Sequence, residues 1–413
     1  MSRRLRLFLG AFGQPGHAFP MLALGRRLVQ RGHRVSYETW DRWREDVEGA
    51  GMEFVPAPEY QVFPTPERPV KPYEAVLHAA GITRRAIAAR GPDLVVHDIL
   101  TLGPALGAEL EGVPAATLIP HVYPVVPSGF PPYAIGARMP RSSLGRALWA
   151  ATQGMIESGL RQGRRELNET RRRLGLPQLQ RLHGGLSSRL VLVGSFPGLE
   201  YPREWPAHVH VVGPLIWEPP SQDVEIPAGS EPLVLVAPST AQDPEQGLLR
   251  ASLAGLGGGD VRVLATTNRR PLSVPVQASL PATRAVAEGR RRSRGASWSL
   301  VNWLSYSRTI PHCSLVVCHA GHGTLVRALA SGVPVLAVPH SGDMGENAAR
   351  LAWSGAGMRL PWRLLGPLTL RAAVGRALDP RHGCASRAAE FAEWAARHDG
   401  PTRAAELIEE LAG

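Results

Sequence analysis

Residues 315–361, LVVCHAGHGTLVRALASGVPVLAVPHSGDMGENAARLAWSGAGMRLP, constrain the fold more than any other stretch. Residues 315–318 are a short apolar run, the pattern of a buried strand. A glycine-bearing turn follows, His319-Ala-Gly-His-Gly-Thr324. Residues 325–331 have helical spacing and stop at Gly332, the residue type found just past helix ends. Residues 333–338 are a second apolar run closed by Pro339, and another helix opens at 343–347. Strand, turn, helix, strand is a βαβ unit, so the sheet is expected to be parallel. The turn also implies a chemistry. Gly321 and Gly323 let a ligand approach the backbone. The N–H groups opening the next helix, near Thr324, add a positive helix end, which suits a phosphate or diphosphate. His319 and Asp343 leave the carboxyl ends of strands, where open α/β sheets bind ligands. Asn347 follows one helical turn on.

The same pattern opens the chain. Residues 5–11 read as a strand, Gly13-Gln-Pro-Gly16 as its exit loop, 17–30 as a helix ended by Gly32, and 34–39 as the next strand. His17 lies at that exit turn. A strand over 93–96 ends in His97-Asp98, which puts Asp98 at the same carboxyl edge as His17. Helices are expected at 73–90, 102–111 and, as one long arginine-rich stretch, 144–174. Further strands are expected at 51–55, 115–119, 190–193, 208–212, 233–237 and 261–266. Ser239 falls in the exit turn of the 233–237 strand. Residues 60–72, with four prolines, read as a long functional loop. Residues 255–259 read as a flexible turn, and 298–303 as a lead-in to a short helix. The tail, 385–411, reads as an amphipathic helix broken at Gly400-Pro401. Four prolines mark 218–232 as a linker. The expected division is therefore 1–217, linker 218–232, 233–390, and a final helical segment 391–413.

Composition narrows the class. At 413 residues the chain is long enough for two full cores. The formal charge is +11, yet Lys71 is the sole lysine. That arginine bias reads as codon usage rather than nucleic-acid binding, since no zinc-finger, RRM or basic-helix pattern accompanies it. The densest run, Arg290–292 with Arg294, sits between glycines and reads as a solvated loop. Three cysteines without paired spacing argue against a disulfide framework and for a reducing compartment. The neighbouring His312, Cys313, Cys318, His319 and His322 have the wrong spacing for a zinc finger or ribbon, so no metal is expected. Arg3-Arg4 and the apolar residues after them lack a cleavage site and read as a first core strand. No uninterrupted apolar run reaches membrane-spanning length, and a cytoplasmic protein is expected.

Certain of these residues carry a resemblance. Gly16-His17-Ala-Phe-Pro20, Pro92 to Asp98, Trp303, the 319–324 turn, Gly332-Val-Pro334, Asp343 and Glu346-Asn347-Ala348 resemble the family 1 nucleotide-sugar glycosyltransferases, in their bacterial macrolide and natural-product branch. The resemblance spans nearly the whole chain. It implies an α/β GT-B fold, two facing Rossmann-like domains with parallel sheets and a cleft between them. The first domain would bind the acceptor, the second the nucleotide sugar, and the tail helix would cross back to the first. It also implies an inverting, metal-independent transfer with no cofactor beyond the UDP- or TDP-sugar cosubstrate.

By the same resemblance His17 matches the general base and Asp98 the carboxylate that orients it. His319, Gly321, His322, Gly323 and Thr324 match the diphosphate region, with Ser239 beside it. Trp303 matches the position next to the base. Asp343 matches the reader of sugar hydroxyls, and Met344 and Asn347 fall among the donor-side positions. Met344 stands where the family commonly has Gln, and Ser305-Tyr306 where a Pro-Gln pair is common. A thioether cannot pair with a hydroxyl as an amide does, which leaves room for a deoxysugar. Phe63, Tyr123, Phe130, Tyr133 and Trp149 are the expected walls of an acceptor pocket, suited to a small apolar or aromatic molecule.

Rival readings were distinguishable. A nicotinamide oxidoreductase would want a third glycine where Val326 stands, in an opening βαβ unit. A non-catalytic accessory protein would be expected to lack His17 or Asp98. A glycolipid-forming transferase would show basic residues near an apolar patch. A monomer or homodimer is expected, with no nucleic-acid partner.

Overall fold

The structure, a computed structural model, describes residues 3–58, 72–221, 223–240, 242–257, 260–273, 291–292 and 298–413. Two compact units form. One comprises Met1–Phe130, Arg141–Trp217 and Asp399–Gly413; the other comprises Pro131–Pro140 and Glu218–His398.

The first unit runs β1 (Arg6–Gly10), α1 (Pro15–Gln30), β2 (Arg34–Thr39), α2 (Arg44–Gly49), β3 (Glu53–Pro56), α3 (Pro72–Arg90), β4 (Leu94–Asp98), α4 (Leu102–Leu110), β5 (Ala115–Ile119), α5 (Ser143–Ala150), α6 (Gln153–Arg173), β6 (Val191–Val193) and β7 (Val209–Val211). Its seven strands are ordered β3-β2-β1-β4-β5-β6-β7, all parallel. Parallel pairing needs crossovers, and the helices supply them on both faces. Leu7, Leu9 and Ala11 face one core with Leu22, Leu24 and Leu28 of α1, while Phe8 faces the other with Val95 and Ile87. The order reverses between β1 and β4, which makes the crevice beyond their carboxyl ends the natural ligand site. The stretch expected as one helix over 144–174 is two, because the chain turns at Ala151–Thr152 between α5 and α6.

The second unit runs β8 (Leu233–Ala237), α7 (Gly247–Leu256), β9 (Arg262–Thr266), β10 (Arg291–Arg292), β11 (Trp298–Val301), α8 (Tyr306–Thr309), β12 (Leu315–Cys318), α9 (His322–Ala330), β13 (Val335–Ala337), α10 (Met344–Ser354), β14 (Gly357–Arg359), α11 (Pro367–Leu378) and α12 (Cys384–Arg397). The sheet order is β10-β11-β9-β8-β12-β13-β14. All pairs are parallel except β10 with β11. Here the order reverses between β8 and β12.

Several expectations are corrected. Trp298–Val301 is a buried strand, not a lead-in. Arg291–Arg292 pairs with it as an antiparallel edge strand rather than looping out, while Arg290 and Arg294 lie outside the described residues. Gly255 is helical: a Cβ there would stand 2.4 Å from the Pro367 carbonyl, so its bareness lets α7 meet the start of α11. The expected linker is held in the second unit at its start, where Glu218 accepts hydrogen bonds from Ser305 Oγ at 2.6 Å and Tyr306 N at 3.1 Å. Glu218 thereby covers the N-terminus of α8.

The last helix, α13 (Gly400–Ala412), belongs to the first unit. Its break from α12 falls at 398–399, earlier than expected. Gly400-Pro401 open the new helix, since proline is tolerated where N–H groups have no helical partner. Ala404, Ala405, Leu407 and Ile408 join the core of α1 and β1. Glu409 accepts two bonds from Arg31, each 2.7 Å, and meets His33 Nε2 at 2.7 Å. The Arg31 bonds, outweighing partial burial, hold its carboxyl down at about 2.

Candidate functional site

At the first unit's switch point, β1 hands over to α1 through Phe12-Gly13-Gln14. Gly13 is required there: a Cβ would lie 2.1 Å from the Trp40 ring. Its carbonyl accepts from Trp43 Nε1 at 2.7 Å and from the Arg42 guanidinium, which fixes the loop. Pro15 starts the helix, so His17 projects from its first turn. His17 Nδ1 lies 2.8 Å from Asp98 Oδ2. The Asp98 side chain is fully buried, whereas His17 is 16% exposed. The other carboxylate oxygen, Oδ1, accepts the Leu100 N–H at 2.9 Å, so the β4 exit turn aims Asp98 at the imidazole. With Nδ1–H donating to the carboxylate, the lone pair resides on Nε2. Phe12 and His121 lie edge-on to the His17 ring, at 6.1 and 6.4 Å between centroids.

His97, next to Asp98, is different. It is buried, its Nε2 pairs with Thr117 Oγ1 at 2.8 Å, and burial pushes its pKa down to about 4. It is a neutral core histidine. On the same sheet Glu38 is 2% exposed and accepts one bond from Thr83 Oγ1 at 2.9 Å. Burial raises its carboxyl to about 8.

At the second unit's switch point, β12 runs into the 319–324 turn. Ala320 adopts a left-handed φ of 62°, and Gly321 caps α9 with no side chain. A Cβ on Gly321 would meet nothing within 4 Å, so the space above the helix start is open. Helix-start amides and the positive macrodipole end converge there. The strained Ala320 carbonyl is held by Asn347 Nδ2 at 3.0 Å, and the same nitrogen lies 3.2 Å from Asp343 Oδ2. Asn347 thus braces the turn from below, while Asp343 stays half-buried at the start of α10. Met344 is buried in the first turn of that helix.

His319 points away from open solvent and is 1% exposed. The Ser239 N–H donates to its Nδ1 at 2.9 Å, so its proton sits on Nε2, 3.2 Å from Asp243 Oδ2. Asp243 also accepts the Gly247 and Leu248 amides of α7 at 2.8 and 3.1 Å. Burial pushes its carboxyl up, but the His319 and amide hydrogen bonds outweigh burial and hold it below the usual range. Trp362 lies 5.7 Å from the His319 ring and 4.6 Å from that of His340. Trp362 and Asp243 also line a cavity of about 540 Å³ with Glu245 and Arg250. At the exit of β9, Asn268 and Arg269 both have left-handed φ, 51° and 62°. The Arg269 guanidinium lies 4.6 Å over the Trp303 ring. Tyr306 Oη donates to Asn268 Oδ1 at 2.8 Å, which anchors that strained loop.

The structure therefore brings His17 and Asp98 together, and sets Ser239, His319, the 321–324 helix start, Asp343 and Asn347 around one switch point. It treats the expected acceptor walls differently. Tyr123 is a core residue, 4% exposed and packed on Trp205. Phe130 stacks on Tyr201 at 4.9 Å. Trp149 is half-buried on α5. Tyr133 goes with the second unit, in the segment Pro131–Pro140. That segment reaches α10 where a Cβ on Gly136 would stand 2.7 Å from the Gly345 backbone. Phe63 and residues 60–71 lie outside the described residues. Among the described residues no three potential metal ligands are gathered, and Cys313 and Cys318 are buried thiols pushed up to about 12 by desolvation.

Sequence reasoning missed Asp243, Trp362, Arg269 and the Gly136–Gly345 approach. Asp243 had one signal, a carboxylate four residues ahead of the glycine that opens α7.

Two open α/β sheets in one chain, with a helix-start anion cradle at one switch point and a histidine–carboxylate pair at the other, are the build of a GT-B glycosyltransferase. Residues 293–411 match the family described as erythromycin biosynthesis protein CIII-like, C-terminal domain. The chain is 30% identical over 450 residues to O-mycaminosyltylonolide 6-deoxyallosyltransferase of Streptomyces fradiae, covering 99% of this chain and 98% of that one. It is 28% identical over 432 residues to 4'-demethylrebeccamycin synthase of Lentzea aerocolonigenes, covering 96% and 97%. The solved glycosyltransferase VinC, in complex with dTDP, shares the fold with a TM-score of 0.68 at 19% identity, over 99% of each chain. The chain belongs to the family 1 nucleotide-sugar glycosyltransferases, in their bacterial natural-product branch. It is a glycosyltransferase, and its donor is a nucleotide sugar. Among the described residues no helix is long and apolar enough to cross a membrane.

Proposed function

We propose that the enzyme moves a hexose or deoxyhexose from a TDP- or UDP-sugar to a hydroxyl of a small, largely apolar natural product, with inversion and without a metal. The observation that carries this reading is the 2.8 Å bond between His17 Nδ1 and the buried Asp98 carboxylate. An alcohol is a poor nucleophile at neutral pH. As its oxygen attacks the anomeric carbon, its proton passes to His17 Nε2, a contribution of about 10²–10⁴-fold. Asp98 holds the tautomer and stabilises the imidazolium, as in a serine-protease triad with the substrate supplying the hydroxyl. The bond to the nucleoside diphosphate breaks in the same step. The charge gathering on that leaving group is met by the 321–324 helix start. A single displacement inverts the anomeric centre. TDP as carrier is supported by the dTDP complex of VinC, and a deoxysugar by the name of the Streptomyces fradiae relative and by Met344 in place of an amide.

The test is a thermal shift with TDP, UDP, a TDP-deoxysugar and NAD, followed by transfer to a macrolide aglycone with the product anomer read by NMR. Stabilisation by TDP or UDP ligands but not NAD, with an inverted product, is expected. Retention of configuration would overturn the mechanism, and a shift with NAD alone would overturn the donor.

A further inference from the structure

The two switch points carry reciprocal pairs. In the first unit the histidine follows the first strand of the sheet and the carboxylate ends the fourth. In the second unit the carboxylate Asp243 follows its first strand, β8, and His319 follows its fifth, β12. The first pair fits the proposed base. The second is buried, and its two ring nitrogens are used in opposite senses. Nδ1 accepts the Ser239 N–H at 2.9 Å, and Nε2–H meets Asp243 at 3.2 Å. A proton added at Nδ1 would confront that amide N–H for as long as Ser239 donates to it. An anionic ligand that takes over the Ser239 amide removes this obstacle, and the Asp243 carboxylate then faces the imidazolium.

We propose that Asp243 is a positioning residue for donor binding: through His319 it couples capture of the diphosphate at the Ser239 amide to uptake of one proton on Nδ1. The inference rests on the donor reading above. The proton goes from solvent to Nδ1, no covalent bond of the donor changes, and the diphosphate gains a cation beside it. The low pKa of Asp243 keeps the acceptor side of the pair ionised throughout. Among the described residues, the other titratable and charged groups around His319 include His340, its ring 6.2 Å away, His322 on the same turn, the buried Cys318 thiol beside it, Arg270, which donates to the Ser239 carbonyl at 3.2 Å, and Glu245 and Arg250 in the cavity behind Asp243.

The experiment is calorimetric titration of the whole enzyme with TDP-glucose, whose diphosphate is a diester that does not titrate between pH 6 and 8. Runs in two buffers of different ionisation enthalpy count the protons. Wild type should take up close to one proton near pH 7.5, and its affinity should rise by up to about tenfold per pH unit on acidification. His319→Gln, which can still accept the Ser239 amide, should bind without proton uptake. His340→Gln should retain uptake. Asp243→Asn should lose the pH dependence. A wild type that binds TDP-glucose with no proton uptake, or an Asp243→Asn variant weakened by one constant factor at every pH, as a purely structural role would give, overturns the inference and leaves the donor reading standing. No binding of TDP-glucose, TDP or UDP by wild type overturns the donor reading and the inference with it.

Discussion

Glu38 offers the most quantitative check on the first unit. Its carboxyl lies under α3 with one bond, from Thr83, and its other oxygen, Oε2, has no hydrogen-bond partner. Burial raises the folded-state pKa from 4.5 to about 8. The sign follows directly. Between these values the folded protein holds a proton that the unfolded chain has released, so stability falls as pH rises. It is complete below 4.5 and lost through about 8. The slope is about 1.4 kcal/mol per pH unit, which makes the ceiling about 5 kcal/mol and the loss between pH 6.0 and 7.5 about 2 kcal/mol. Glu38→Gln keeps an acceptor for Thr83, fills the same volume and cannot ionise. The assay is thermal and urea unfolding of both proteins at the two pH values, followed by tryptophan fluorescence. Wild type should lose roughly 4–8 °C more than the variant on going to the higher pH. The variant should be the more stable protein at pH 7.5. Parallel pH profiles would refute the reasoning, since they would mean that the carboxylate is ionised and solvated within the fold.

Three further outcomes are expected. His17→Ala should lower transfer to alcohols by about 10²–10⁴-fold while the TDP-induced thermal shift persists; unchanged turnover would remove the base. Gly136→Ala places a Cβ 2.7 Å from the Gly345 backbone at a φ of 61°, so segment 131–140 should loosen, with faster tryptic cleavage at Arg138 and a cost of about 1–3 kcal/mol. Cleavage at the wild-type rate would show that the segment is not held there. Glu409→Gln should cost roughly 1 kcal/mol at pH 7. Because the Glu409 pKa is depressed to about 2, the benefit is present above 4.5 and fades as pH falls toward 2. The two proteins should therefore converge in Tm near pH 2, and an equal gap at both ends of the range would contradict the ion-pair account.

What was legible in the sequence follows from what a strand or a turn must contain. Residues 315–318 and 233–237 show as strands because parallel strands buried on both faces are unbroken apolar runs. The turns after them show because glycine and proline have few other uses. Trp298–Val301 was missed because WSLV is only four residues long and follows an arginine-rich stretch with no apolar pattern. His17 and Asp98 were placed at one sheet edge by topology, but the 2.8 Å bond depends on Gly13 being clamped by Trp43 and Arg42, which no pattern of spacing encodes. His319 was found and its surroundings were not. Asp243 sits 76 positions away, and only the sheet order brings the exits of β8 and β12 side by side. Tyr123, expected at a pocket wall, is packed on Trp205. Aromatic content marks a buried surface but does not say whether a ligand or Trp205 covers it.

The helix α13 has a consequence for the order in which the molecule can be made. Its residues Ala404, Ala405, Leu407 and Ile408 complete a core whose remaining members come from the first 220 residues. On a ribosome, the unit synthesised first therefore emerges with an uncovered apolar stripe along α1. It keeps that stripe until the whole second unit and α13 after it have been translated. The second unit has no such debt and can close as soon as α12 is out. Chain order and folding order run in opposite directions here, and a stop anywhere before Gly400 leaves the earlier-made unit as the unfinished one.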